Sequence, residues 1–127
     1  MTGARRLALA QKIAAGIVAA FWISFLGEYK ELPAAIVDFE WNFVAPDLLW
    51  IVAPLLFASH LLVTGHRKAR IACAIAGGAL FYLGFLDVMY NLLHGQYWTP
   101  RGFLDAAVNL ACLAFGAVNM RYGWGDE

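Results

Sequence analysis

Four long apolar runs, separated by short charged or proline-containing stretches, organise the chain. The first covers about residues 7–27, interrupted by Gln11 and Lys12 near its start. About 20 residues make about 30 Å of helix, the thickness of a bilayer core. Lys12 lies close enough to the end for its ammonium to snorkel to the headgroups. Arg5 and Arg6 ahead of an apolar run also suit a secretory signal. Signal cores, however, are typically about 7–15 residues and end at a small-residue cleavage site. This run passes instead into Phe25-Leu26-Gly27-Glu28-Tyr29, so a retained helix is expected, closed by Pro33.

Residues 34–43 (AAIVDFEWNF) are too short and too charged to span, and read as an interfacial segment anchored by Trp41. The second span, residues 46–64, opens on Pro46, a residue suited to a first helical position. Pro54 inside it predicts a kink that frees the carbonyl near Trp50. A basic loop, His66-Arg67-Lys68-Ala69-Arg70, leads to a third span at 71–93. Gly95 to Trp98 forms a tight aromatic turn, and Thr99-Pro100 reads as N-cap and first residue of a fourth span, 100–122. The expected fold is all-α: a four-helix integral membrane bundle occupying residues 1–127 as a single transmembrane domain.

Composition agrees. Of 127 residues, 62% are hydrophobic and 14% charged, and the mean hydropathy is +0.65, more apolar surface than a soluble domain of this size can bury. Net charge is zero and no basic tract interleaves with aromatics, which excludes a nucleic-acid partner from the reading. Cys73 and Cys112 fall at different depths and read as packing residues, not a disulfide.

With the N-terminus inside, Arg5, Arg6, Lys12, Arg67, Lys68, Arg70 and Arg121 are cytoplasmic and Lys30 and Arg101 are outside, which predicts an N-in, C-in topology. A bacterial cytoplasmic (inner) membrane is the expected location. The acids distribute oppositely. Glu28, Glu31, Asp38, Glu40, Asp47, Asp87 and Asp105 fall on the outer side, leaving Asp126 and Glu127 inside.

Asp87 lies inside the third span, sharing a face with Asn91 and His94 and flanked by Tyr90. The same face continues through Gly84 and Gly77, small residues that mark a close helix approach. In the fourth span Asp105, Asn109, Cys112, Gly116 and Asn119 recur at helical spacing, at depths matching Asp87 and Asn91 across the turn. Gly16, Ala20, Ser24 and Glu28 draw an edge on the first helix, and Asp47 and Trp50 open the second. These features predict one outward-facing pocket lidded by residues 33–43. Asp87 and Asp105 are its candidate catalytic carboxylates; Asn91, Asn109, Glu28, Glu40, Asp47, Trp50 and Tyr90 are its candidate ligand-binding residues. Clustered carboxylates in low dielectric cannot all stay ionised, so one is suited to act as a general acid or proton carrier.

Each residue also has a plainer reading. Asp47 and Asp105 sit near helix starts, where a carboxylate complements the dipole. Asp87, in the C-terminal half of its helix, has no such account, though it can serve as a structural hydrogen bond between helices. Glu28, Glu31, Asp38 and Glu40 read as interfacial acids. His60 and His94 lie too far apart to share a haem iron, and no metal-ligand spacing occurs, so no cofactor or metal is expected. Ser24 and Ser59 have no histidine on their faces, which leaves no hydrolase argument.

Trp41-Asn42 followed by Pro46-Asp47-Leu48, opening the second of four spans, resembles an uncharacterised group of small bacterial four-helix membrane proteins. The layout of four helices with carboxylates around a cavity is also similar, in architecture, to the emopamil-binding, sigma-2-like superfamily, whose members bind or isomerise sterols. No motif residue of that superfamily aligns here, so the resemblance carries over no catalytic role.

The sequence therefore predicts a site for a small lipophilic molecule with a polar or cationic group, with Asp87 as anchor and aromatic walls from Trp41, Trp50, Tyr82, Phe85 and Tyr90. The partners expected are membrane lipid and that molecule. The other reading is a structural subunit whose small-residue faces pack in a homo- or hetero-oligomer. A proton or ion pathway is disfavoured, since the inner half offers few relay groups beyond Asn119, Ser59 and His60.

Overall fold

The computed structural model describes residues 2–125, and among them the fold is all-α. Asp126 and Glu127, read above as cytoplasmic acids, lie outside the described residues. Four helices are long and apolar enough to cross a membrane. They are α1 (Gly3–Glu28), α3 (Val44–Val63), α4 (Ala69–Leu93) and α5 (Gly102–Trp124), with a short non-spanning helix α2 (Ala34–Trp41) between the first two. This is an integral membrane protein with the helix inventory of a four-helix bundle. Its large exposed apolar residues, among them Ile17, Ile23, Leu49 and Phe57, are the lipid-facing surface that such a chain requires.

The chain divides into two compact units, Met1–Ala72 and Cys73–Glu127. In the first, Thr2 caps α1 by accepting a hydrogen bond from the Arg5 N–H at 3.2 Å. Helix α1 runs antiparallel to α3. The Ser59 hydroxyl donates to the Ala8 carbonyl at 3.1 Å at one end, and the Trp22 indole N–H donates to Asp47 at 2.9 Å at the other. The buried residues of α1 are Ala8, Gln11, Ala15, Trp22 and Phe25, recurring at helical spacing. This differs from expectation: Gly16, Ala20, Ser24 and Glu28 are exposed. The reason is that α1 is apolar almost all round, so small residues alone did not mark its packed side.

Helix α2 stops where the Asn42 side-chain amide donates to the Asp38 carbonyl at 3.0 Å. Helix α3 then begins at Val44, two residues before Pro46. A proline anywhere in the first turn is tolerated, because the N–H it lacks has no intrahelical acceptor there. Residues Asp47–Val52 are π-helical, with the Ala53 N–H reaching back to Leu48. Pro54 thus stands at the start of the regular segment Ala53–Val63, and the distortion expected at Trp50 spreads over the turn preceding the proline.

The second unit is a helical hairpin of α4 and α5. Gly95, at φ +65°, adopts the left-handed conformation that lets the chain leave α4, and Gln96–Trp98 makes a 3-10 turn. The Thr99 hydroxyl donates to the Gln96 carbonyl at 2.7 Å and does not cap α5, which starts two residues later than expected, at Gly102. There the Tyr97 backbone lies directly over the glycine, leaving no room for a side chain. Farther along, a Cβ added to Gly77 would stand 2.6 Å from the Gly116 carbonyl oxygen, and one on Gly116 2.7 Å from the Phe81 nitrogen. Only glycine lets the two backbones approach this closely.

Candidate functional site

Asp47 lies in the first turns of α3 and is 8% exposed. Its backbone N–H donates to the Phe43 carbonyl at 2.8 Å, and it opens the π segment. Oδ2 accepts from Trp22 Nε1, whereas Oδ1 is buried with no hydrogen-bond partner. A buried acceptor without a donor costs about 1–3 kcal/mol, and more if it carries charge. The helix dipole favours a carboxylate here, but the dipole does not by itself explain why the group is enclosed and half-satisfied.

Beside it runs a continuous aromatic array. Trp22 meets Phe25 edge-on at 5.2 Å between centroids, and Phe25 meets Trp41 in the same manner at 5.4 Å. Tyr29 lies 5.7 Å from Trp41 and 6.2 Å from Phe25, so α2 is fastened to the end of α1 through Trp41. The Lys30 ammonium stands 6.0 Å over the Tyr29 ring, at the outer limit of a cation–π contact. Of the other expected ligand residues in this unit, Glu40 is half-buried, Glu28 is exposed, and Trp50 is 64% exposed.

In the second unit, Gly84 packs against Cys112 and Leu113, and Gly77 against Gly116 and Asn119. The same antiparallel register, followed by one to two turns toward the connecting turn, brings Asp87 level with Asn109 and Asn91 level with Asp105. Asn109 is 4% exposed, and its amide donates to the Tyr97 hydroxyl at 2.7 Å, tying the aromatic turn to α5. Asp87, Asn91, Tyr90 and Asp105 are half-buried. Tyr90 stacks on His94 at 4.1 Å, and the His94 Nδ1–H donates to the Tyr90 carbonyl at 2.9 Å. Tyr82 and Phe85, expected as walls, are exposed.

Sequence reasoning missed two side chains here. Trp22 shares a helical phase with Ala8 and Ala15, a signal hidden in an all-apolar helix. Tyr97 precedes its partner Asn109 by 12 residues across a turn, a separation that no helical spacing relates. Cys73 and Cys112 are free thiols, and no group of three or more metal-binding side chains occurs among the described residues. No family model, curated protein or solved structure matches the chain.

Proposed function

We propose that this protein binds a small lipophilic molecule carrying a polar or cationic group, using carboxylates within its membrane spans as anchors. The observation that carries the reading is Asp47 Oδ1, a buried acceptor that the chain itself leaves unused while Oδ2 is held by Trp22. Placing a carboxylate in a span costs about 2.5–3.5 kcal/mol near a helix centre and less toward its ends, and such groups usually serve a partner or a cavity. The rings of Trp22, Phe25, Tyr29 and Trp41 beside it suit an apolar or cationic body. In the second unit Asp87, level with the buried Asn109, is the corresponding anchor, with Asn91, Tyr90 and Asp105 around it. The predominance of basic residues in the segments assigned to the inner side supports an N-in, C-in orientation, as in a bacterial inner membrane, with both carboxylates toward the outer face.

Native mass spectrometry with lipid extraction of the protein purified in mild detergent tests this. A defined small molecule is expected on the wild type, and Asp47→Asn and Asp87→Asn, each in protein of unchanged thermal stability, are expected to remove the molecule held in their own unit. A wild type that carries nothing and takes up no lipid-extract component sinks the proposal.

A second reading, an assembly subunit, is favoured by the exposed edge of α1. Gly16, Ala20, Ser24 and Gly27 lie on the surface, and a Cβ added at Gly16 or Gly27 meets nothing within 4 Å. Small residues presented outward on a membrane helix suit close packing against another helix. Co-purification with one constant partner, lost on Gly16→Leu, would replace the ligand reading with this one.

A further inference from the structure

All five carboxylates of the first unit lie between residues 28 and 47, accompanied by Lys30. Arg5, Arg6, Lys12, Arg67, Lys68 and Arg70 lie outside that interval. The antiparallel seating of α1 on α3, pinned by Ser59 on Ala8 and by Trp22 on Asp47, carries the two basic stretches to the same end of the unit. No carboxylate occurs at that end, in residues 2–12 or 60–72.

The loop between α3 and α4 is held in shape. Gly65 takes φ +66°, the His66 N–H donates to the Leu61 carbonyl at 2.9 Å, and the Lys68 N–H donates to His66 Nδ1 at 3.1 Å. Arg67 and Lys68 project from it exposed, and Arg5 and Arg6 are exposed on α1. Both α1 and α4 begin at this end with no acid in their first turns. Cations stand here against the positive ends of two helix dipoles, with the C-terminus of α3 as the one negative end beside them, and an external anion relieves the excess. One and two helical turns beyond Arg5 come Leu9 and Ile13, and one turn beyond Arg67 comes Ile71, all exposed apolar side chains. An anion carrying acyl chains matches both layers, whereas a free phosphate matches the upper one alone.

We propose that this end of the first unit binds the phosphodiester of an anionic glycerophospholipid. Arg5, Arg6, Arg67 and Lys68 donate charge-assisted hydrogen bonds to its oxygens, and its acyl chains lie along Leu9, Ile13 and Ile71. The surface shares no residue with the ligand site proposed above, so either can fail without the other.

The test offers the purified protein, in a neutral maltoside detergent, equal amounts of phosphatidylglycerol and phosphatidylcholine with identical acyl chains, read by native mass spectrometry. Detergent removes membrane orientation from the comparison. Phosphatidylglycerol adducts are expected to exceed phosphatidylcholine adducts about tenfold, since one phosphodiester engages one or two of these cations at a time and each contributes about fivefold. Arg67→Gln with Lys68→Gln lowers the ratio to about threefold and neutralising all four residues brings it near one; Arg5→Lys with Arg6→Lys, and Lys30→Gln at the opposite end of the unit, leave it unchanged. Equal adducts in the wild type, or a preference that survives neutralising all four residues in a protein of unchanged melting temperature, overturns the proposal. So does displacement of the lipid by millimolar inorganic phosphate, which would make this a free-anion site.

Discussion

Trp22 and Asp47, 25 residues apart in the chain, are joined by an indole N–H donated to a carboxylate oxygen at 2.9 Å, and this bond fixes how the end of α1 meets the π-helical start of α3. It has an asymmetric consequence for mutagenesis. Trp22→Phe leaves both carboxylate oxygens without a side-chain donor and is expected to destabilise the protein by about 1–3 kcal/mol. Asp47→Asn keeps an amide oxygen for the indole and is expected to cost less than about 1 kcal/mol. Thermal unfolding in detergent, followed by circular dichroism, ranks the two; an equal or reversed ranking contradicts this account of the pair.

The glycines divide into two classes. At Gly77 and Gly116 a methyl group would enter the opposing backbone, so Gly77→Ala and Gly116→Ala are each expected to destabilise by about 1–3 kcal/mol. At Gly16 and Gly27 a methyl group meets open space, and alanine there should be neutral or stabilising by up to about 1 kcal/mol, because helical glycine costs backbone entropy. If the Gly16 substitution disrupts assembly while leaving the melting temperature of the protomer intact, the exposed edge is a contact with another chain.

The hydroxyl of Tyr97 accepts from a buried amide. Tyr97→Phe therefore leaves that amide without its acceptor, at about 1–3 kcal/mol, and should release the turn Gln96–Trp98 from α5. Hydrogen exchange resolved by residue is the measurement: protection should fall in the turn and the first two turns of α5, with the Gly77–Gly116 crossing unaffected.

Asp87→Asn is expected to abolish retention of the lipophilic molecule held in the second unit while changing stability by less than about 1 kcal/mol. Asp87→Leu separates binding from folding further. A variant that extracts and unfolds like wild type but carries no ligand assigns Asp87 to binding, whereas failure of both variants to accumulate assigns it to structure.

The spans were legible in the sequence because lipid demands long apolar runs with charges at their ends, and that constraint is nearly independent of packing. Their boundaries were less so. Thr99 looked like an N-cap, yet its hydroxyl is taken by Gln96, and the site of the helix start is set by Tyr97 folding over Gly102. The close approach of α4 to α5 was readable from Gly77, Gly84 and Gly116, where small residues coincide with polar ones on a single stripe. The packed face of α1 was not, since hydropathy does not distinguish an exposed Gly16 from a buried Ala15. The pairing of Asp47 with Trp22 was hidden for the same reason, and a carboxylate near a helix start already had a sufficient local explanation in the dipole.

A π-helical stretch amounts to one residue more than a regular helix would use over the same length. Asp47–Val52 is therefore a register device that sets where the first turn of α3 points. Were the same residues wound as regular α-helix, with Leu55 and Ser59 keeping their seats against α1, Asp47 would rotate by about 100° around the axis, away from Trp22. The chain would still insert and still count as four spans, but its carboxylate would be aimed at the wrong solvent.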